Sequence, residues 1–481
     1  MPTTSIIEQS PLYNVLPVGQ EIIFVISNTD AVQNETRVKY IVDIHISNNN
    51  PPVPGTLTNL IGTFKTTPND KGVGIFDLRN IIENYVSADH LAAFNSDYKT
   101  IPTTGDTRHF IHGIDKYSTN NKSVRFMALR FAVEYLGATN NAGSTSPNIV
   151  RRQAGTERDS INYHIFNGYL KFTDILKLGT GSNSAGFGFP ITPFLPATIS
   201  RKFLTNAPTT QYANLEDYGT LAYLVDPSGI GFSQVVTKIV LTYYKNDGTG
   251  TVVKEVLRTT ANGAFDAYTA TTRKGLIFYG CYPGNLQNWE GTFISLVTAG
   301  TIQGSYYTVQ AYGVLGGVTA AYTINVNCPN QKNYESIRLC WLNQWGAWDY
   351  YTFTKKSSKS ISTKGSTYTQ LQGTWNKSVY KQDGFKGGKK SFRVNAHEKI
   401  IMNTGFVAEG DNVMFEELIN SPEVYLLEGY RVETSGGALN QYVTPVRLTT
   451  SKFTTKTVAN DRLLQYTFEV EKSKTLRTQS I

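Results

Sequence analysis

Two histidines spaced i, i+3, His109 and His112, are the first residues in this sequence whose type and spacing suit chemistry. Imidazoles at that spacing can share a metal ion, with Asp106 and Asp115 as the nearest oxygen donors. A zinc site needs three or four protein ligands in a defined geometry. No cysteine or glutamate completes the set locally and the segment reads as loop, so the pair is read as chance. His45 sits within a strand-like run and reads as a surface or satisfied position. His397 and Glu398 adjoin each other with no nucleophile motif nearby. Glu416, Glu417 and Asp217 would suit glycoside hydrolysis only if folding set two carboxyls roughly 5–10 Å apart across a sugar. Adjacent glutamates in a helical turn normally face solvent instead. The glycines at 179, 181, 186 and 188 lack the following Lys-Ser/Thr pair and helix of a phosphate cradle, and read as a flexible loop. No G-x-S-x-G elbow and no H-E-x-x-H helix occurs. The expectation is a protein that is not an enzyme and uses no metal or cofactor.

The elements that would position any site are strands. Aromatic residues make up 12% of the chain and charged residues only 17%, with 29 Tyr and 24 Phe, while long helical-spacing runs of Ala, Glu, Lys and Leu are missing. This is the composition of an all-β protein, expected as several antiparallel β-sandwich domains with long loops and one or two short helices. The densest stretch is Ile337 to Phe353, which holds three of the five tryptophans. A loosely alternating run from Ile337, a break at Asn343 to Gly346 and a second aromatic run from Trp348 read as a hairpin. Trp341, Trp345, Trp348, Tyr350, Tyr351 and Phe353 are its core or interface candidates, since each buries about 150–250 Å².

Further along the chain, Glu21 to Ser27 and Arg37 to Ser47 read as the strands of another hairpin. Asp77 is placed as the N-cap of a helix through Leu78, Ile81, Ile82, Tyr85 and Val86, continuing to Phe94. Val235 to Tyr244, the turn Asn246-Asp247-Gly248 and Thr251 to Arg258 give the clearest hairpin signal. Three domains are expected: 1–200, with an N-terminal arm and the helix near 77–94; 201–328; and 329–481, with the aromatic hairpin and a basic insertion. The stretches 1–16, 137–155, 178–190 and 355–390 are polar and expected to order only against neighbouring subunits. Three scattered cysteines read as buried free thiols of a chain made in a reducing cytoplasm. No apolar run of 18 residues suggests a membrane span, and the N-terminus has no secretory pattern.

The charge is uneven. Of a net +8, residues 331–400 hold 13 Lys/Arg against 4 Asp/Glu. Lys355, Lys356, Lys386, Lys389, Lys390 and Arg393 are the basic-patch candidates, to be met by an acidic face of another subunit or by passing DNA, or to stand as a solvated loop.

The run Trp341-Leu342-Asn343, then Gly346-Ala347-Trp348-Asp349-Tyr350-Tyr351-Thr352-Phe353, precedes a basic segment and the strand Ser421-Pro422-Glu423-Val424-Tyr425-Leu426. With Tyr442 to Leu448 and the closing Asn460 to Glu471, this pattern resembles tail or neck structural proteins of short-tailed crAss-like bacteriophages infecting Bacteroidota. The resemblance covers the C-terminal third of the chain. It implies a ring-type virion protein, made in the bacterial cytoplasm, whose partners are copies of itself and other tail, neck or portal proteins. A receptor-binding adhesin with aromatic loops and a glycan-cleaving tail enzyme are the alternatives.

Overall fold

The fold is taken from a computed structural model, which describes residues 3–48, 51–92, 110–114, 116–136, 150–175, 186–189, 191–224, 236–256, 268–269, 272–273, 275–328, 334–375, 379–427, 443–450, 452, 454, 464–474 and 476–477. Strands account for 46% of the described residues and helices for 13%, so the protein is all-β, built mainly of antiparallel sheets with short helices. It forms two compact units, Met1–Cys328 with Leu342–Asp349, and Pro329–Trp341 with Tyr350–Ile481.

The first unit opens with a sandwich. One sheet has four strands, in the order Gly186–Phe187, Ile6–Pro11, Ile23–Ser27, Val73–Asp77. The other has seven, its main path running Val15–Pro17, Tyr163–Phe166, Val124–Leu136, Thr36–Ser47, Leu60–Thr66. β-Branched and aromatic residues alternate along these strands, so one side of each faces the partner sheet. Phe24, Ile26 and Phe76 from the smaller sheet pack with Tyr40, Val42, Leu129, Phe131 and Tyr163 from the larger. The Phe24 ring lies 5.5 Å from Phe131 and 5.7 Å from Tyr163. Gly74 is required here, because a Cβ at that position would come within 2.5 Å of the Tyr40 ring. The Tyr40 hydroxyl accepts the Asn28 N–H at 2.9 Å and donates to the Gly72 carbonyl at 2.7 Å.

Three sequence expectations are corrected in this sandwich. Ile23–Ser27 and Thr36–Ser47 do not form a hairpin with each other but lie in different sheets. The polar linker between them folds into the helix Thr29–Asn34, capped by the Asn28 side chain on the Ala31 N–H at 3.0 Å. The helix expected from Asp77 to Phe94 is only Arg79–Ile82 followed by the 3-10 turn Glu83–Tyr85. Val86 turns extended, and beyond it Asp89 is committed elsewhere: its carboxylate accepts the N–H groups of Asn121 and Lys122 at 3.1 and 2.6 Å. Residues 93 and 94 lie outside the described residues. The N-terminal stretch, expected to order on a neighbour, pairs within its own chain: Ile6–Pro11 with Ile23–Ser27, and Val15–Pro17 with Tyr163–Phe166. Val15 and Leu16 are buried, which supplies the apolar area that the composition of 1–16 as a whole concealed.

Residues from 201 onward in this unit form a six-stranded sheet whose main path is Thr210–Ala213, Tyr322–Val326, Tyr306–Gly313, Lys238–Tyr244, Thr251–Val256. The expected turn at Asn246 to Gly248 joins the last two strands, with Tyr244 opposite Thr251 and Gly248 at φ +71°. A three-stranded sheet, Thr220–Leu224, Leu276–Gly280, Tyr117–Thr119, draws its last strand from the 1–200 segment. The helix Gly291–Thr298, unforeseen in its β-branched sequence, is fixed by Glu290. That carboxylate caps the N–H groups of Thr292 and Phe293 at 3.1 and 2.6 Å and accepts the Tyr243 hydroxyl at 2.7 Å.

The second unit is built on an eight-stranded sheet with the main path Trp348–Phe353, Ile337–Leu342, Val424–Leu427, Val443–Leu448, Thr467–Lys472, Gly388–Asn403, Ser358–Gln370. The helix Asn412–Asn420 buries Met414, Phe415 and Leu418, and the Phe415 ring meets Phe468 at 5.3 Å and Tyr351 at 5.1 Å. Of the cysteines, Cys281 and Cys340 are buried, whereas Cys328, expected to be buried, is exposed. Among the described residues no helix is long and apolar enough to cross a membrane.

Phe131 joins both faces of the first sandwich, so Phe131→Ala is expected to cost about 3–5 kcal/mol. The check is a urea titration read by circular dichroism, in which the variant's first transition moves to lower denaturant at unchanged slope.

Candidate interface: the aromatic hairpin and the long arm

The hairpin forms as its sequence suggests, from Ile337–Leu342 and Trp348–Phe353, but its side chains have separate surroundings. The turn belongs to the first unit. The Asn343 side-chain oxygen accepts the N–H groups of Trp345 and Ala347, both at 3.0 Å, and its amide donates to the Leu204 carbonyl at 3.0 Å and to Asp349 at 3.1 Å. Gly346 stands at φ +76°, with the Asn167 carbonyl 2.2 Å from where a Cβ would lie. Only glycine fits that backbone and that approach. Trp345 packs between Phe189 at 5.3 Å and Phe194 at 4.8 Å. Trp348 donates its indole N–H to the Asp89 carbonyl at 3.0 Å and stacks edgewise on His112 at 4.8 Å.

In the second unit, Trp341 and Phe353 are fully buried. The Arg338 guanidinium, also buried, donates to Thr352 Oγ1 at 2.7 Å and lies 5.1 Å from the Tyr350 ring. Tyr351 is half-buried, 4.8 Å from Phe353. All six aromatic candidates therefore pack mainly inside the fold.

The basic candidates lie on a different element. Ser358–Gln370 and Gly388–Asn403 pair over 13 positions, from Ser358 opposite Ile401 to Gln370 opposite Gly388. The stretch 355–390, expected as a loop awaiting a neighbour, is thus mostly a long hairpin whose two strands pair with each other. Thr, Tyr, Ile and Phe in alternation carry strand propensity that the serines and lysines between them masked. Thr467–Lys472 flanks the second strand at Lys399 to Asn403, and Leu476–Arg477 flanks it at Asn395 and Ala396. From Gly365 and Val394 outward the described structure is a two-stranded ribbon, an arm of roughly 20 Å before its tip loop begins.

The described residues of the arm pack on one another beyond the strand pairing. Phe392 is the extra residue of a bulge, since Ser366 faces Arg393 and Thr367 faces Ser391. Its ring meets Tyr368 at 6.5 Å. At the tip Trp375 packs on Tyr380 at 5.2 Å, and the Thr374 N–H bonds the Lys381 carbonyl at 3.0 Å. Lys386 pairs with Asp383 at 2.7 Å and lies over Phe385 at 5.4 Å, while Lys390 bonds the Phe385 carbonyl. Yet Leu371, Trp375 and Phe385 remain 74%, 71% and 73% exposed, and Val379 and Tyr380 more than half exposed. Scattered singly among polar residues, these side chains make no run in the sequence. Only the strand pairing collects them.

The basic candidates divide. Lys386, Lys389, Lys390 and Arg393 belong to this outer arm, whereas Lys355 and Lys356 precede its base, about 40 Å away along an extended strand of this length.

The other candidates are not gathered into a site. His112 is buried, while Asp106, His109 and Asp115 lie outside the described residues. His45 is buried near the Thr58 carbonyl at 3.4 Å. His397 meets Glu471 at 3.2 Å, and Glu398 meets Lys472 at 3.4 Å. Asp217 accepts the Asn214 N–H at 2.8 Å in the first unit. In the second, Glu416 is half-buried and Glu417 buried, not turned to solvent as expected. Gly186 belongs to a strand rather than a flexible loop, and 176–185 lie outside the described residues. No group of three or more potential metal ligands occurs among the described residues. No protein-family model matches the sequence, and no curated protein matches it either.

Asp349 offers a test of the turn. It is buried, accepts the Thr205 hydroxyl at 2.6 Å, and loss of hydration pushes its carboxyl up to about 6. An aspartate in an unfolded chain titrates near 3.9. The folded state therefore holds the proton more tightly, so the stabilisation is complete below about pH 4 and declines as the pH rises to about 6. Urea midpoints should fall over that window for the native chain, and Asp349→Asn should remove that part of the slope.

Proposed function

We propose that this chain is a non-enzymatic structural component of a bacteriophage virion, assembling into a symmetric ring in the tail or neck. One observation carries the assembly reading: the arm's two strands pair with each other while Trp375, Phe385 and Leu371 are left almost uncovered. Several large apolar side chains left exposed on one short arm mark a surface meant to be covered. Aromatic anchors with cationic neighbours are the residue types that dominate protein interfaces. The sandwiches supply rigid shape and the arm supplies grip. The phage setting, with tail, neck or portal proteins as further partners and DNA passing nearby, rests on the sequence resemblance of the C-terminal third.

A second reading, a receptor-binding adhesin, draws on the Trp375–Tyr380 pair, whose exposed rings suit stacking on sugars. Replacing residues 366–393 with Asn-Gly keeps the inner pairs of the arm, since Gly365 faces Val394. Sedimentation of both chains then separates the readings. The native chain should form a closed oligomer and the shortened chain should remain folded but monomeric. A native chain that stays monomeric while binding glycans through its arm would favour the adhesin instead.

A further inference from the structure

The arm's charge has a counterpart in the same unit. Residues 365–394 hold six Lys/Arg and one Asp. Residues 400–430 hold six Asp/Glu and no Lys or Arg. Part of that acidic segment is a surface: Glu409 is exposed on the 3-10 turn Glu409–Asp411, and on the helix that follows Val413, 41% exposed, and half-buried Glu416 stand three residues apart on one side. Phe406, just before it, is 65% exposed. An aromatic, cationic surface and an acidic surface with its own exposed Phe and Val, edged by Lys355 beside Gly405, thus belong to one compact unit.

One strand joins them. Gly388–Asn403 has 16 residues, starting on the basic arm and ending three residues before Phe406. At about 3.3 Å per residue, its ends are roughly 50 Å apart. Complementary surfaces at opposite ends of one rigid strand cannot satisfy each other within a copy. They can do so between copies, by a head-to-tail contact of the kind that closes rings.

Building on the assembly reading, we infer that the arm tip of one copy docks on the Phe406, Glu409, Val413 and Glu416 surface of a second copy. Aromatic and aliphatic side chains cover Phe406 and Val413, while the arm's cations face the two glutamates. Opposite charges set the register and hasten encounter, so the contact weakens with salt.

Charge reversal tests this. One variant carries Lys381→Glu, Lys389→Glu and Arg393→Glu; a second carries Glu409→Lys and Glu416→Lys; a third combines all five. Circular dichroism melts establish that each is folded, and light scattering reads association. Each single-surface variant should associate at least about tenfold more weakly than the native chain. Mixing the first two, or combining both sets in one chain, should restore association, because every contact again pairs opposite charges. Native-like association of the first variant overturns the inference but leaves the assembly reading standing, as does loss without rescue in the mixture. A native chain monomeric at every salt overturns both. Arm-dependent binding of single-stranded DNA or anionic phospholipid vesicles, with self-association unaffected by reversal, would assign the arm to that partner instead.

Discussion

The Asn343 carboxamide is the bond centre on which the aromatic hairpin depends. It holds two turn N–H groups, one carbonyl and the Asp349 carboxylate, all within 3.1 Å. Register in a hairpin is set by its turn, and a slip of one residue would move every side chain to the opposite face. Trp341, Trp345, Trp348 and Phe353 are each packed among different neighbours, so none tolerates that exchange. A small polar network at the turn therefore governs where several hundred square ångströms of aromatic surface go.

Much of this was legible in the sequence. The hairpin at 337–353 and the turn at Asn246 to Gly248 follow from alternation and turn chemistry, which are local. Less was legible where a distant residue decides. Glu290 imposes a helix on Gly291–Thr298 through two capping bonds and one tyrosine, although Ile294, Val297 and two threonines favour strand. Asp89 ends a helix by binding backbone more than thirty residues away. Neither partnership leaves a trace in spacing.

The arm is hidden in the sequence for a related reason. Serine, threonine and lysine at solvent-facing positions gave 355–390 the composition of a segment too polar to order. Order in a ribbon comes from cross-strand backbone bonds and facing side chains, and composition does not record which strand lies opposite. The aromatics that make the arm a candidate interface became visible only with the pairing of Tyr368 against Lys390 and the bulge at Phe392.

Among the described residues Ser358–Gln370 pairs on one side only, at the edge of its sheet. A long free edge is a template on which further strands can add without limit, and at high concentration such addition gives fibrils. Lys359 and Lys364 stand on this edge as charges that a stacked copy would have to bury, and the bulge opposite Ser366 and Thr367 spoils the flatness that stacking needs. The chain therefore carries a long ribbon at little risk of aggregation through its backbone. Any specific contact the arm makes falls to its side chains.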